Sequence, residues 1–258
     1  MRQIVGRSHC SREFVNDISY IPEFDIVFAF VSKNASSLLK SLLATGGGFS
    51  GSGRRGRNPH FRAHTGFLGV DDVGVDQMDA WITDPNVPKV VVGRDPVARL
   101  VSSWRSRVDT WALAPYQNQR ELQDWLELRQ RILGHSQGAH ASSPEEALTS
   151  DITFQMLVDY VGQTPSWLLD RHLAPQAYAS GADVIEYDLV GQVEHLDAFL
   201  AGLEALTGRH LPPADLAFAN VSPERTRRAI EVTDAQRRSL QKRFQDDYTL
   251  FGYDGGER

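Results

Sequence analysis

Cysteine is almost missing from this chain: Cys10 is the single one among 258 residues. One thiol cannot build an internal disulfide framework, which points to a reducing compartment and a cytoplasmic location. No run approaches the roughly 18 apolar residues of a membrane span. The opening MRQIVGRSHC also lacks the apolar core of a secretion signal. An excess of positive charge is absent as well, since 27 Lys+Arg face 33 Asp+Glu for a formal net charge of -6. A surface built to coat nucleic acid is thereby excluded, and any bound anion must be met by positive charge gathered locally. Neither internal repeats nor a G-x-x-x-x-G-K-[ST] phosphate loop is found.

What is there suits one α/β domain spanning residues 1–258, with 41% hydrophobic and 23% charged residues, enough to bury a sizeable core. Two apolar runs, Phe24–Val31 and KVVVG at Lys89–Gly93, are continuous rather than alternating and read as buried parallel strands. DVIEYD, Asp183–Asp188, is a third candidate strand. A helical pattern follows each one: Ser36–Ala44 after the first, and a helix with Asp95 as cap and Pro96 at its first position after the second. After the third, Val193, Leu196, Leu200, Leu203 and Leu206 mark one helical face. This alternation predicts a central, mostly parallel sheet flanked by helices. Helices are also predicted at DITFQMLVDYV and at TDAQRRSLQKRF, the latter capped by Thr233, with Leu240, Phe244 and Tyr248 as a packing stripe. His135 and His140 read as solvent-facing rather than metal-bound.

The stretch Thr45–His64 combines six glycines with Arg54, Arg55, Arg57 and Arg62. Two readings stand side by side: a disordered surface loop, flexible over about residues 46–57, or a mobile lid or patch for an anionic acceptor.

The chemistry gathers at the strand ends. In FDIVFAFVSKNASSLLKSLL the apolar run stops at Ser32, and Lys33, Asn34 and Ala35 lead into a helix that opens with Ser36 and Ser37. A turn of small residues entering a helix presents main-chain N–H groups to an anion, and Lys33 adds a movable cation. In VVVGRDPVARLVSSWRSR, Arg94 stands just past the strand, where ligands of open α/β sheets collect, and Ser102 follows about two turns on. A guanidinium fork with a hydroxyl suits a phosphate monoester. Each piece also has a plain structural explanation, as a solvated lysine or as a capping motif with a salt bridge.

Together the two pieces resemble the sulfotransferases that use 3'-phosphoadenosine 5'-phosphosulfate (PAPS). VSKNASSLLKSLL is similar to their 5'-phosphosulfate loop, and VVVGRDPVARLVSSWRSR to their 3'-phosphate element, R-[DH]-P-x-x-R-L-x-S. Further likenesses follow in order: ITFQMLVDYV, DRHLAPQ (family H-W-x-P-Q), IEYDLVGQVEHLDAFL (Y-D-x-I-G-K-x-E-x-L-x-x-D) and DDYTLFGYD. The carbohydrate sulfotransferases of chondroitin, dermatan and heparan 2-O type are the nearest subgroup. The departures are Ser32 where the family has proline, Leu173 for tryptophan and Gln192 for lysine. Membrane anchor and disulfides of the eukaryotic members are lacking, which suggests a soluble, bacterial member.

The resemblance implies a three-layer P-loop-like fold and in-line sulfuryl transfer from PAPS to a hydroxyl of a carbohydrate or glycosylated small molecule, leaving 3'-phosphoadenosine 5'-phosphate. It assigns Lys33, Asn34, Ala35, Ser36, Ser37, Arg94, Ser102 and Arg227 to the donor, Arg62 and His172 to the acceptor side, and no metal. Histidine suits a general base because its pKa lies near the working pH. His64 is the first choice for that role and His60 the second. Two alternatives remain. A P-loop-type kinase using ATP is opposed by the missing glycines and by the lack of a magnesium-binding carboxylate at a strand end. A non-catalytic module for nucleotide or anionic glycan is opposed by the retained Lys33, Arg94, Ser102 and histidine.

Overall fold

The computed structural model describes residues 17–49, 64–109, 119–138, 143–212 and 230–253. In chain order its elements are β1 (Ile18–Ile21), β2 (Ile26–Ala29), α1 (Ser36–Gly46), α2 (Val70–Val73), α3 (Val75–Thr83), β3 (Lys89–Gly93), α4 (Pro96–Trp104), α5 (Gln119–Gln137), α6 (Pro144–Thr149), α7 (Phe154–Gln163), α8 (Gln176–Ser180), β4 (Leu189–Gln192), α9 (Leu196–Thr207), α10 (Asp234–Arg243) and α11 (Gln245–Phe251). A π turn, Arg105–Asp109, continues α4. The chain falls into two compact units, one of Met1–Asp95, Pro175–Val221 and Asp246–Arg258, the other of Pro96–Ala174 and Ser222–Gln245.

The first unit holds a sheet in the order β1-β2-β3-β4. β1 runs antiparallel to β2. β2 and β3 are parallel, as are β3 and β4, so the sheet is mostly parallel as the apolar runs predict. Alternation of side chains across the strands gives each face its own core. Ile26, Phe28, Val90 and Val92 pack under Leu39 and Leu43 of α1 and Phe199 and Leu203 of α9. Val27, Ala29 and Val91 pack under Met78 and Ile82 of α3, Ala179 of α8 and Phe251 of α11. Both faces being covered explains why these strands read as unbroken apolar runs.

Two features differ from the sequence reading. β1 is an added antiparallel edge strand, closed onto β2 by a turn in which Asp25 takes φ 52 and accepts a hydrogen bond from the Tyr20 hydroxyl at 2.7 Å. The third strand lies at Leu189–Gln192 rather than Asp183–Asp188. The earlier residues are drawn into a turn instead, with the Val184 and Ile185 N–H groups on the Gly181 carbonyl at 3.0 and 2.8 Å. Pairing with β3 begins only where Asp188 exchanges bonds with Lys89, its N–H on the Lys89 carbonyl at 2.8 Å and its carboxylate taking the Lys89 N–H at 2.7 Å.

The described part of the second unit is helical. Trp104, Trp125, Ile132, Leu157, Val161, Leu240 and Phe244 are buried in it. Its helix ends are closed by side chains. Thr153 takes the Met156 N–H at 3.3 Å to start α7. Arg243 donates to the carbonyls of Val161 and Thr164, at 2.9 and 3.1 Å, to finish it. Thr233 and Gln236 form the reciprocal cap that the T-x-x-Q spacing predicts for α10.

Candidate functional site

The segment between β2 and α1 holds two residues in the left-handed region, Lys33 at φ 72 and Ala35 at φ 53. Each such residue other than glycine costs roughly 1–2 kcal/mol, and strain of this kind collects where a loop must hold a set shape. Ala35 is the N-cap of α1, yet it has no side-chain acceptor, and the first turn carries no acidic residue. The protein therefore does not quench the positive end of this helix by the usual capping oxygen or carboxylate.

Arg94, the first residue past β3, reaches the same loop: its Nη1 donates to the carbonyl oxygen of Lys33 at 3.3 Å. Its main chain is gripped from behind by Gln176, at the start of α8. Gln176 Oε1 accepts the Arg94 N–H at 2.9 Å, and Gln176 Nε2 donates to the Arg94 carbonyl at 2.8 Å. Asn34 completes the connection. It is 1% exposed, and its Nδ2 donates to the Val92 carbonyl at 2.8 Å and to Gln176 Oε1 at 2.7 Å. The Asn34 N–H bonds the Val31 carbonyl at 3.3 Å. Asn34 thus serves the loop from inside, and Oδ1 has no hydrogen-bond partner among the described residues.

Asp247 anchors the network. Its buried carboxylate takes the N–H groups of Gln176 and Ala177 at 2.9 and 2.8 Å, which closes the N-terminus of α8, and also lies 3.3 Å from Gln176 Nε2. A second brace comes from Glu194, which accepts the Asp95 N–H at 3.1 Å and the hydroxyl of Tyr253. Burial, with Glu194 beside it, pushes the Tyr253 hydroxyl well above the usual phenol range. Gln192 Nε2 donates to the Phe251 carbonyl at 2.5 Å. The Phe251 ring lies so close over Gly93 that a Cβ there would stand 2.2 Å from it.

A strand-to-helix loop that carries a lysine and receives an arginine, beside a helix N-terminus without a side-chain cap, is an arrangement for an anionic group. A comparison with protein families adds that residues 16–254 match the model of the sulfotransferase family. The chain belongs to the sulfotransferase family. No curated protein and no solved structure matches it.

Other residues expected to serve this sulfotransferase family member fall in three places. His64 begins the short segment leading to Phe67, and Phe67 stacks on Phe30 with ring centroids 5.7 Å apart. That contact ties the His64 segment to the chain entering the Lys33 loop. Ser102 lies half-buried on α4, in the second unit. His172, also partly buried and in the second unit, lies between α7 and α8, with its Nδ1 2.7 Å from Asp170 Oδ1. Burial pushes the Asp170 carboxyl up, but the hydrogen bonds and charge of His172, with Arg107 nearby, outweigh this and hold it below the usual carboxylate range. His60, Arg62 and Arg227 lie outside the described residues, as does the Gly/Arg-rich loop at 50–57.

The arginine five residues after Arg94 has a different task. Arg99 is 2% exposed and donates to the carbonyls of Ala174 and Arg171 at 2.8 and 3.0 Å. Ser103 adds a bond to the His172 carbonyl at 2.7 Å. Sequence reasoning missed Gln176, Glu194 and Asp247, although all three fall within the segments DRHLAPQ, VGQVEHL and DDYTLFGYD. Their occurrence in those segments was the available signal.

Among the described residues no group of three or more His, Cys, Asp or Glu could hold a metal ion. No helix among them is long and apolar enough to cross a membrane.

Proposed function

We propose that the protein transfers the sulfuryl group of PAPS to a hydroxyl of a carbohydrate or glycosylated small molecule. The observation that carries this reading is the convergence of Arg94 on the Lys33 carbonyl at 3.3 Å, beside a helix N-terminus without side-chain cap or acidic first turn. The family match gives the chemistry, and these groups are of the kind that a phosphosulfate donor requires. The strand-loop-helix unit β2–α1, beside parallel β3, favours a three-layer P-loop-like fold. The lone Cys10 favours a cytoplasmic setting.

In this reading the acceptor oxygen attacks sulfur in line with the bridging oxygen of the donor. The new O–S bond forms as the S–O bond to the 5'-phosphate breaks, and 3'-phosphoadenosine 5'-phosphate departs. Lys33 neutralises the charge growing on the bridging oxygen, helped by the first N–H groups of α1 and the hydroxyls of Ser36 and Ser37. Ala35 shapes the entry to that helix, and Asn34 fixes it from within. Arg94 holds the 3'-phosphate, which separates this donor from ATP. Ser102 and Arg227 keep the donor-binding roles that the family resemblance implies. The acceptor proton passes to a histidine, His64 by preference over His60, while Arg62 and His172 belong to the acceptor side.

Thermal unfolding with 3'-phosphoadenosine 5'-phosphate, ADP and ATP tests this. At about a hundred times its dissociation constant, a ligand of the native state stabilises by roughly 2.7 kcal/mol. Selective stabilisation by the 3'-phosphorylated nucleotide is expected. An equal response to ATP, or none to any of the three, would overturn the donor assignment.

A further inference from the structure

Gln176 is wholly buried, yet every hydrogen bond its side chain makes within the loop region has a direction. Its oxygen takes the Arg94 N–H and one hydrogen of Asn34 Nδ2, at 2.9 and 2.7 Å. Its nitrogen gives to the Arg94 carbonyl and toward Asp247, at 2.8 and 3.3 Å. Turned over, the amide would set N–H against N–H and oxygen against oxygen at Arg94. The orientation is thus fixed by its partners, and it fixes them in return. One side chain spans both main-chain polar groups of Arg94 much as a neighbouring strand would. Through Asn34 it also holds the loop that carries Lys33.

We propose that Gln176 is the positioning residue of the anion site. It sets the main chain of Arg94 directly and that of Lys33 through Asn34, so that the two cations keep one spacing. The inference rests on the donor-site reading of those cations, but it makes a claim of its own. Gln176 touches no substrate; its influence on nucleotide passes through Arg94 and the loop. Asp247 in turn holds Gln176, because it binds the Gln176 N–H at 2.9 Å as well as lying near the side-chain amide.

The experiment uses the full chain and four variants: Gln176→Met, which keeps the volume and removes the bonds; Gln176→Glu, which keeps the acceptor for Arg94 and loses the donor; Arg94→Ala; and the Arg94→Ala/Gln176→Met pair. Cooperative thermal unfolding identifies which Gln176 variant is folded. Dissociation constants for 3'-phosphoadenosine 5'-phosphate are then measured by calorimetry, and amide exchange is followed at Arg94 and across Lys33–Ala35. The expected result is at least a tenfold weaker affinity in either folded Gln176 variant, with a smaller fold-loss when Gln176→Met is added to Arg94→Ala than when it is made alone, since part of the effect of Gln176 runs through Arg94 and the rest through Asn34 to the Lys33 loop. Exchange at Arg94 should quicken in Gln176→Met without any nucleotide present, and less in Gln176→Glu, which keeps the acceptor of that N–H.

Fully multiplicative losses in the double variant would overturn the proposal, because none of the effect of Gln176 would then run through Arg94. Unchanged exchange at Arg94 in Gln176→Met would overturn it too. Arg94→Ala with wild-type affinity would instead refute the donor role of Arg94, and in that event the exchange measurement alone decides whether Gln176 positions it.

Discussion

Arg94 Nη1 and the carbonyl oxygen of Lys33 meet at 3.3 Å although the residues stand 61 positions apart. The contact follows from the sheet. β2 and β3 are adjacent and parallel, with Ala29 opposite Val91, so both chains leave the sheet at the same edge. Ligands of open α/β sheets bind at that edge, and here two cations arrive there on separate loops.

Lys33→Ala should remove most of the turnover while sparing the fold. Lys33 is only partly buried, and alanine has no greater difficulty than lysine at φ 72. The stability change should stay within about 0.5 kcal/mol. Loss of a group that acts on developing charge costs about 10²–10³ in rate. Steady-state assays with PAPS, alongside denaturant unfolding, check both halves, and a surviving rate would remove Lys33 from the mechanism.

Gly93→Ala should be far more harmful than its size suggests. The new methyl would lie 2.2 Å from the Phe251 ring, and crowding of this kind costs typically 1–3 kcal/mol. The double variant Gly93→Ala/Phe251→Ala should recover less than the full loss, because it leaves a hole where the ring sat. Thermal unfolding of the two variants is the check.

Arg99→Lys should lower stability by roughly 2 kcal/mol, since an ammonium cannot reproduce two guanidinium bonds to the carbonyls of Arg171 and Ala174. Its folded fraction should bind 3'-phosphoadenosine 5'-phosphate as the parent does. Arg94→Ala should show the reverse pattern, with stability kept and nucleotide affinity lost. Calorimetric titration of both variants separates the two arginines of the R-D-P-x-x-R segment.

Asp170 gives a pH dependence of known sign. Its carboxyl is held below the usual range in the folded chain, so the unfolded chain binds that proton more readily. The stabilisation is present above the ordinary aspartate pKa of about 3.9 and fades as pH falls below it. Asp170→Asn should therefore be less stable than the parent at neutral pH, and the difference should shrink as the solution is acidified from about pH 5. Denaturant midpoints across that range test it. A constant gap would mean that Asp170 acts by packing alone.

Local features were legible in the sequence. Lys89–Gly93 appears as a strand because three consecutive valines fill both covered faces of a parallel sheet. The Thr233 cap of α10 needs only residues three apart. Leu240, Phe244 and Tyr248 are buried as their stripe suggests. Asp183–Asp188 misled because Val184, Ile185 and Tyr187 imitate a strand. Tyr187 instead sends its hydroxyl to the Ser180 carbonyl at 2.5 Å, a preference that no propensity records. Gln176 escaped notice for another reason. Its partners lie 82 residues back at Arg94 and 71 ahead at Asp247, and pairings at such separations leave no mark in a single sequence. The left-handed turns at Lys33 and Ala35 were equally hidden, because neither residue is a glycine.

The parallel pairing of β2 with β3 also bears on folding kinetics. The Lys33–Arg94 corner cannot form before two strands far apart in sequence have come together, and such non-local closure is slow. A partly folded chain that has α1 but lacks the β2–β3 register has no corner to offer an anion. Nucleotide bound there should consequently slow unfolding while leaving the refolding rate nearly unchanged, as expected for contacts made after the transition state.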